Sequence, residues 1–347
     1  MSDTSSEASD TARQFAAGMQ KRPTIYDVAA AAGVNPSTVS RAFSRPGRVS
    51  DKTAAHIHAV AQAMGYRAEA VFRAPSTRHT QLLALAVSDV TNPFFFSIIR
   101  GAENEATARG YQLLLADTQE SQTREQALFD RSLDKVDGLL VASSRISDTG
   151  LRAAARKVPT VVMNRVVTGL PSVIADNGRA MRRALEHLAS LGHRRVAYVS
   201  GPEASWANGS RYRAFREGCY ELDLIDQRVG PVAPTVKGGA SVTDTLRDNG
   251  ATAAVCFNDL TAIGVIRRAK ELGWSVPGDL SVVGFDNTFA SDLVSPSLTT
   301  VAAPLSELSR RATALVITMI QRPSTPPVEP QILPIQLIVR ESSGEPG

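Results

Sequence analysis

Thr24–Arg41 reads TIYDVAAAAGVNPSTVSR, and its apolar spacing decides how the N-terminal part of the chain folds. Ile25, Val28, Ala29 and Ala32 recur at i, i+3, i+4 and i+7, one face of a helix. Thr24 is placed to cap that helix, and Asp27 three residues later to complete a capping box. Gly33 suits the left-handed residue that ends a helix. Asn35 then opens a second helix, with Pro36 in the first turn, where no N–H is needed. Val39, Ala42 and Phe43 turn inward. Ser37, Thr38, Ser40 and Arg41, all hydrogen-bonding residues, stay outside. A third helix follows, capped by Ser50, with Ile57, Val60, Ala61 and Met64 as its buried stripe before Gly65. The pattern predicts a small three-helix core around a helix-turn-helix. A plain helical hairpin shares the turn, so further signals have to separate the two.

Charge is one such signal. Residues 21–80 hold nine Lys/Arg against three Asp/Glu, a net +6, whereas residues 1–20 carry −2. The whole chain is +4, so residues 81–347 are neutral (4 − 6 + 2 = 0). A basic module on a neutral body is the electrostatic footprint of nucleic-acid binding. The chain's 347 residues are too many for one core and suggest two or three domains. No apolar run approaches the ~20 residues of a membrane span, and residues 1–20 lack the basic start and apolar stretch of a secretory signal. They are rich in Ser, Thr and Ala and read as disordered. Cys219 and Cys256 read as small core residues. The five histidines form no ligand cluster.

From Leu82 the pattern changes to alternating strands and helices. Strands are expected at 82–89, 111–118, 138–144 and 159–165. A second series opens with SVIADN (172–177) and continues with strands at 194–201, 252–258 and 280–287. Helices lie between them, one spanning 240–248. A helix at 305–321 and one extended segment, ILPIQLIVR (332–340), close the chain. Such alternation implies two parallel sheets, each covered on both faces.

Ligands of open α/β sheets sit beyond the carboxyl ends of the strands. Those ends carry Asp89, Asp117, Asn164 with Arg165, Asp176 with Asn177, Asn258 with Asp259, and Asp286 with Asn287. About half of these are expected only to cap the next helix. Arg165 and Arg211 are harder to explain as caps. Phe94, Phe95 and Trp206 add aromatic faces near the same rim, while Phe96 reads as core. Carboxylates, amides, arginines and aromatic rings converging on a cleft suit a polyhydroxylated or anionic small molecule. No G-x-S-x-G, P-loop, H-E-x-x-H or strand-linked G-x-G-x-x-G is present, so the cleft reads as a sensor without cofactor, metal or catalytic residues.

The order of these parts resembles the LacI/GalR family of bacterial transcription regulators. The resemblance runs from Arg22 to about Ser342. It is carried by the opening stretch together with VSDKT (49–53), MGYR (64–67), DVTNPFF (89–95), LEHLASLGHRRVAYVSGP (185–202), FNDLTAIG (257–264), VPGDLSVVGFDN (276–287) and PSLTTV (296–301). It implies an all-α helix-turn-helix headpiece on an α/β core of two doubly wound parallel-sheet subdomains, like type I periplasmic binding proteins. It also implies a cytoplasmic, nucleoid-associated homodimer on double-stranded, pseudo-palindromic operator DNA.

Position by position, Pro36, Ser37 and Arg41 fall on base-reading sites. Tyr26, Thr38, Ser40 and Ser50 fall on phosphate-contacting sites, with Thr24 and Lys52 beside them. Phe94, Arg211, Asn258 and Asp286 fall on effector-contacting sites, with Asp89, Phe95, Arg165 and Trp206 as neighbours. Two positions depart from the family. Pro75 stands where many members carry a DNA-intercalating leucine, and Ala68 where a proline is usual. Two outcomes are open. Either Pro75 caps a shorter hinge helix and still inserts into the minor groove, or the kink is lost and the recognition helices alone position the headpieces. A shorter, weaker hinge helix is expected, because Val71 and Phe72 remain to pack against the partner hinge.

The expected layout is a tail (1–21), a helix-turn-helix domain (22–66), a hinge (67–80), a core (81–342) and a tail (343–347). Within the core, 81–174 and 303–330 form one subdomain, and 175–302 and 331–342 the other. The leading expectation is a repressor controlled by a sugar or sugar acid. A solute-binding protein of a sugar transporter would share the core but has no use for residues 22–65. A sugar-processing enzyme would need an acid–base pair.

Overall fold

The first apolar face forms helix α1, Ile25–Ala31, followed by α2, Pro36–Ser44, and α3, Asp51–Ala63. Val28, Val39 and Ile57 are fully buried where the three helices meet, with Val60 and Ala61 beside them. Gly33 (φ +62°) and Gly65 (φ +66°) leave α1 and α3 in the left-handed region, where a side chain is disfavoured. The expected capping box between Thr24 and Asp27 is present. The Asp27 carboxylate accepts from Thr24 N (2.7 Å) and Thr24 Oγ1 (2.6 Å).

The computed structural model describes residues 23–44, 48–66, 79–322 and 329–347. The chain divides into two units, Met1–Arg78 and His79–Gly347. Val71, Pro75 and the expected hinge up to residue 78 lie outside the described residues. Thr80 belongs to the second unit: its N and Oγ1 donate to Asp137 Oδ1 at 2.8 and 2.9 Å.

In the second unit the strands are β1 Leu82–Val87, β2 Gln112–Asp117, β3 Gly138–Ala142, β4 Thr160–Met163 and β5 Ser172–Ala175. They continue as β6 Arg195–Val199, β7 Ile225–Val229, β8 Ala253–Cys256, β9 Ser281–Phe285 and β10 Thr299–Ala302, then β11 Gln331–Leu333 and β12 Gln336–Ile338. One sheet has the order β11-β5-β4-β3-β1-β2 and is parallel throughout. The other has the order β12-β10-β9-β8-β6-β7, with β12 antiparallel.

The strand period of two divides each core. Leu83, Leu85 and Val87 of β1 pack with Ile98 and Leu308 from helices 94–108 and 305–321. Ala84 and Ala86 face the opposite way, toward Phe129 and Leu151. On β6, Val196 and Tyr198 meet Leu185 and Phe215, while Ala197 and Val199 meet Val265 and Ile266. A sheet covered on both faces needs no polar stripe, which is why these strands read as continuous apolar runs.

Several boundaries differ from the expectation. β5 lies in the first sheet, between β11 and β4, and does not open the second. The last extended segment is two strands in different sheets, because Pro334 lacks the N–H that would continue the ladder. Residues 331–333 therefore belong with the first lobe. Helix 240–248 is two short helices, Val236–Ala240 and Thr243–Asp248. Strand β7 was not anticipated, because this mostly exposed edge strand reads IDQRV and alternates poorly. Residues 343–347, expected to be a tail, are bonded to the second lobe: His187 Nε2 meets Ser343 Oγ at 2.9 Å, and Gly347 N donates to Gly278 O at 2.9 Å. The chain crosses between lobes after β5, after β10 and after β11.

Candidate functional site

In the first unit, α2 presents Ser37 and Arg41 to solvent, with Pro36, Thr38 and Ser40 half-buried. Tyr26 on α1 is 71% exposed. Lys52 and Ser50 are exposed at the start of α3. Among the described residues Arg41 and Lys52 have no ion-pair partner. Thr24 and Ser50 are occupied locally: Thr24 by Asp27, and Ser50 Oγ by Thr53 N at 3.3 Å.

In the second unit the strand orders place a switch point between β1 and β3 in one sheet and between β6 and β8 in the other. Crevices at such points bind ligands. Here they face each other across a cleft. The second lobe contributes Arg211, on helix Trp206–Glu221. Its Nε donates to Asn177 Oδ1 at 3.1 Å, and its Nη1 to the Phe257 carbonyl. Its guanidinium carbon lies 4.2 Å from the Phe285 ring centroid, and its Nη2 lies 3.6 Å from Asp286 Oδ1. Burial drives the Asp286 pKa well above the usual carboxylate range, against the opposing pull of Arg211. Asp286 also holds φ +114°, a backbone conformation that a non-glycine residue keeps only when its surroundings enforce it. Asn258 caps the next helix, accepting from Thr261 N at 3.0 Å, and still lines the cleft.

Arg145 and Glu120 are the first lobe's charged pair. Nε and Nη2 of Arg145 both reach Glu120 Oε2 at 2.6 Å. Burial raises the Glu120 pKa and Arg145 opposes the rise. Asn164, at φ +57°, is buried at the cleft, and its Nδ2 has no hydrogen-bond partner among the described residues. A buried donor without a partner in a cleft is poised for a ligand.

Of the residues expected from sequence, Phe94, Phe95, Arg211, Asn258 and Asp286 line this cleft. Asp89, Arg165 and Trp206 do not. Asp89 Oδ1 accepts from Thr91 N at 2.8 Å and shapes the turn before helix 94–108. Arg165 clamps a loop, donating to Ile146 O and Asp148 Oδ1, each at 2.5 Å. Trp206 is half-buried between two lining residues, Ser205 and Ala207. Phe96, expected in the core, is 47% exposed, and Phe95 takes the buried place. Glu120 and Arg145 were missed. Each lies in the loop just past a strand end, β2 and β3, so the strand-end rule reached their neighbourhood without singling them out. Asp259, noted beside Asn258, is a structural group: its buried carboxylate accepts from Thr300 Oγ1 (2.5 Å), Ser291 Oγ (2.7 Å) and Thr288 N (2.7 Å). Among the described residues no His/Cys/Asp/Glu group could hold a metal, and no helix is long and apolar enough to cross a membrane.

Comparison with known proteins assigns the two units separately and together. Residues 24–69 match the model for bacterial regulatory proteins of the lacI family. Residues 185–343 match the periplasmic binding protein-like domain. The HTH-type transcriptional regulator DegA of Bacillus subtilis is 33% identical over 334 residues, covering 93% of this chain and 98% of that protein. The chain belongs to the LacI family. Among solved structures, the transcriptional regulator CelR in complex with cellobiose is 28% identical with a TM-score of 0.69, covering 92% of this chain and 100% of that one. The lac repressor dimer bound to operator is 25% identical with a TM-score of 0.69, covering 93% of this chain and 100% of that one. As a LacI-family protein the chain is a DNA-binding transcription regulator with a periplasmic-binding-protein-like effector domain. The relatives compared are regulators and not enzymes.

Proposed function

We propose that the chain is a repressor that binds a pseudo-palindromic operator as a homodimer, with its operator affinity set by a sugar or sugar acid in the cleft. The observation that carries this reading is the union, in one chain, of an exposed recognition helix and a two-lobed cleft holding an unpartnered buried donor. A transporter's solute-binding protein would need only the second.

Pro36, Ser37 and Arg41 read base edges. Tyr26, Thr38, Ser40, Lys52 and the helix starts at Thr24 and Ser50 hold phosphates. Phe94, Phe95, Arg211, Asn258 and Asp286 hold the effector. Dimerisation is supported by Leu114 (46% exposed) and Leu115 (42%) on edge strand β2 and by Ile225 (52%) on edge strand β7, since bare apolar edges ask for a partner. The lac repressor is a dimer on its operator, and CelR holds a neutral disaccharide. The test is a gel-shift selection against the protein's own genome at moderate salt, repeated with a sugar panel. A sequence-selective, salt-sensitive complex that one sugar strengthens or dissolves is expected. Binding without sequence preference refutes the proposal.

A further inference from the structure

We propose that the Glu120–Arg145 pair is a charge filter that restricts the cleft to neutral polyhydroxylated ligands and turns away sugar acids and sugar phosphates. The proposal rests on the effector reading of this cleft and narrows it.

Each lobe brings one guanidinium and one carboxylate to the lining: Arg145 with Glu120, and Arg211 with Asp286. The Glu120–Arg145 pair has a formal charge of zero. An anion approaching either arginine also meets a carboxylate within 4 Å of it, at 2.6 Å for Arg145 and 3.6 Å for Arg211.

The first-lobe pair is built into the backbone. Glu120 (φ +56°) and Ser143 (φ +59°) hold left-handed conformations on neighbouring loops. The N–H of Arg145 is fixed by Glu125 Oε2 at 2.9 Å, and Glu125 is 1% exposed.

Hydrogen bonding favours the same ligand class. A guanidinium has five N–H groups. Arg145 donates to Glu120 Oε2 through Nε and Nη2 and to Ser143 O through Nη1 at 2.8 Å. Two N–H groups remain, beside a Glu120 Oε1 that no described residue engages. The unpartnered Asn164 Nδ2 supplies one more donor to the lining. Donors next to acceptors suit hydroxyls, because each hydroxyl donates one bond and accepts others. A phosphate or carboxylate group accepts and does not answer an acceptor, so it leaves Glu120 Oε1 unanswered and facing a like charge.

The experiment is a binding measurement on the full chain, by thermal shift and calorimetry, with matched sets: glucose, gluconate and glucose 6-phosphate; ribose and ribose 5-phosphate; cellobiose and cellobionate. Wild type, Glu120→Gln and Arg145→Gln are compared. We expect a neutral member to bind wild type at least about tenfold more tightly than its anionic partners, since like charges brought together in a closed site cost that much or more. Glu120→Gln should narrow or invert the gap and Arg145→Gln should widen it, so either variant decides if the other folds poorly. An anion that binds wild type as tightly as its neutral partner overturns the filter alone, as does a gap that neither substitution changes. A panel in which no sugar of either kind binds overturns the sugar reading, and the filter with it.

Discussion

Arg211 answers to several groups at once: Asn177, the Phe257 carbonyl, the Phe285 ring and Asp286. Arg211→Ala is therefore expected to abolish the ligand-induced rise in Tm while leaving operator binding in gel shifts intact. It should also cost roughly 3–5 kcal/mol of stability, since it strands a buried carboxylate. The pH dependence of that cost has a definite sign. Asp286 has a raised pKa when folded, so above the ordinary aspartate value of 3.8 the folded state binds more protons than the unfolded state. Its contribution to stability then falls as pH rises, and more steeply without Arg211, so the penalty should grow with pH in urea titrations. Arg165 gives a contrasting case. Its guanidinium serves loop carbonyls and Asp148, so Arg165→Ala should lower stability by about 2 kcal/mol and leave ligand selectivity unchanged. A selectivity change in calorimetry would return Arg165 to the ligand's side.

Helices α1–α3 followed closely from sequence because their signals are local: apolar spacing, Asn35 and Ser50 at helix starts, and Gly33 and Gly65 at the ends. Ser50→Ala removes the acceptor for Thr53 N and should cost about 1 kcal/mol in thermal melts of the full chain. Arg41→Ala should weaken operator binding by about 1–3 kcal/mol if the side chain holds a guanine edge. Lys52→Ala should instead lower the salt slope of binding by about one and weaken all sequences alike. Equal loss on operator and random DNA for Arg41→Ala would make it a phosphate contact. Strand β7 shows the limit of local signals. Its polar residues form a strand because β6 offers an open edge, and that edge is set by the rest of the sheet.

Across the whole second unit, the chain's last residues act as a staple. His193 is fully buried, with Nε2 2.9 Å from Gly344 O and Nδ1 2.9 Å from Thr252 Oγ1. Burial lowers its pKa from 6.5, opposed by Gly344 and assisted by His187, whose own pKa is lowered in the same direction. Between the lowered value and 6.5 the unfolded state binds more protons, so stability is retained above 6.5 and lost as pH falls below it. The raised pKa values of Asp259 and Asp286 act in the opposite sense, so the test is a difference. His193→Gln can keep a donor for Gly344 but does not titrate. The wild-type stability curve should drop below the variant's slope as pH falls through this window. Parallel curves would show that His193 does not contribute.

Sequence alone determined the alternation of strands and helices, the parallel core of both sheets, the basic helix-turn-helix and, among the lining residues, Phe94, Phe95, Arg211, Asn258 and Asp286. Each of these rests on short-range information: a period of 3.6 or 2, a cap, or a place at the end of a strand. Tertiary structure decided which strand-end residues face the cleft and which only hold a turn, as Asp89 and Arg165 do. It also decided that the final extended segment divides between sheets at Pro334, and that Glu120 and Arg145 meet from separate loops. Those outcomes depend on how far one strand end lies from another across a sheet or a cleft. That distance is set by the packing of residues remote in sequence, and no local pattern encodes it.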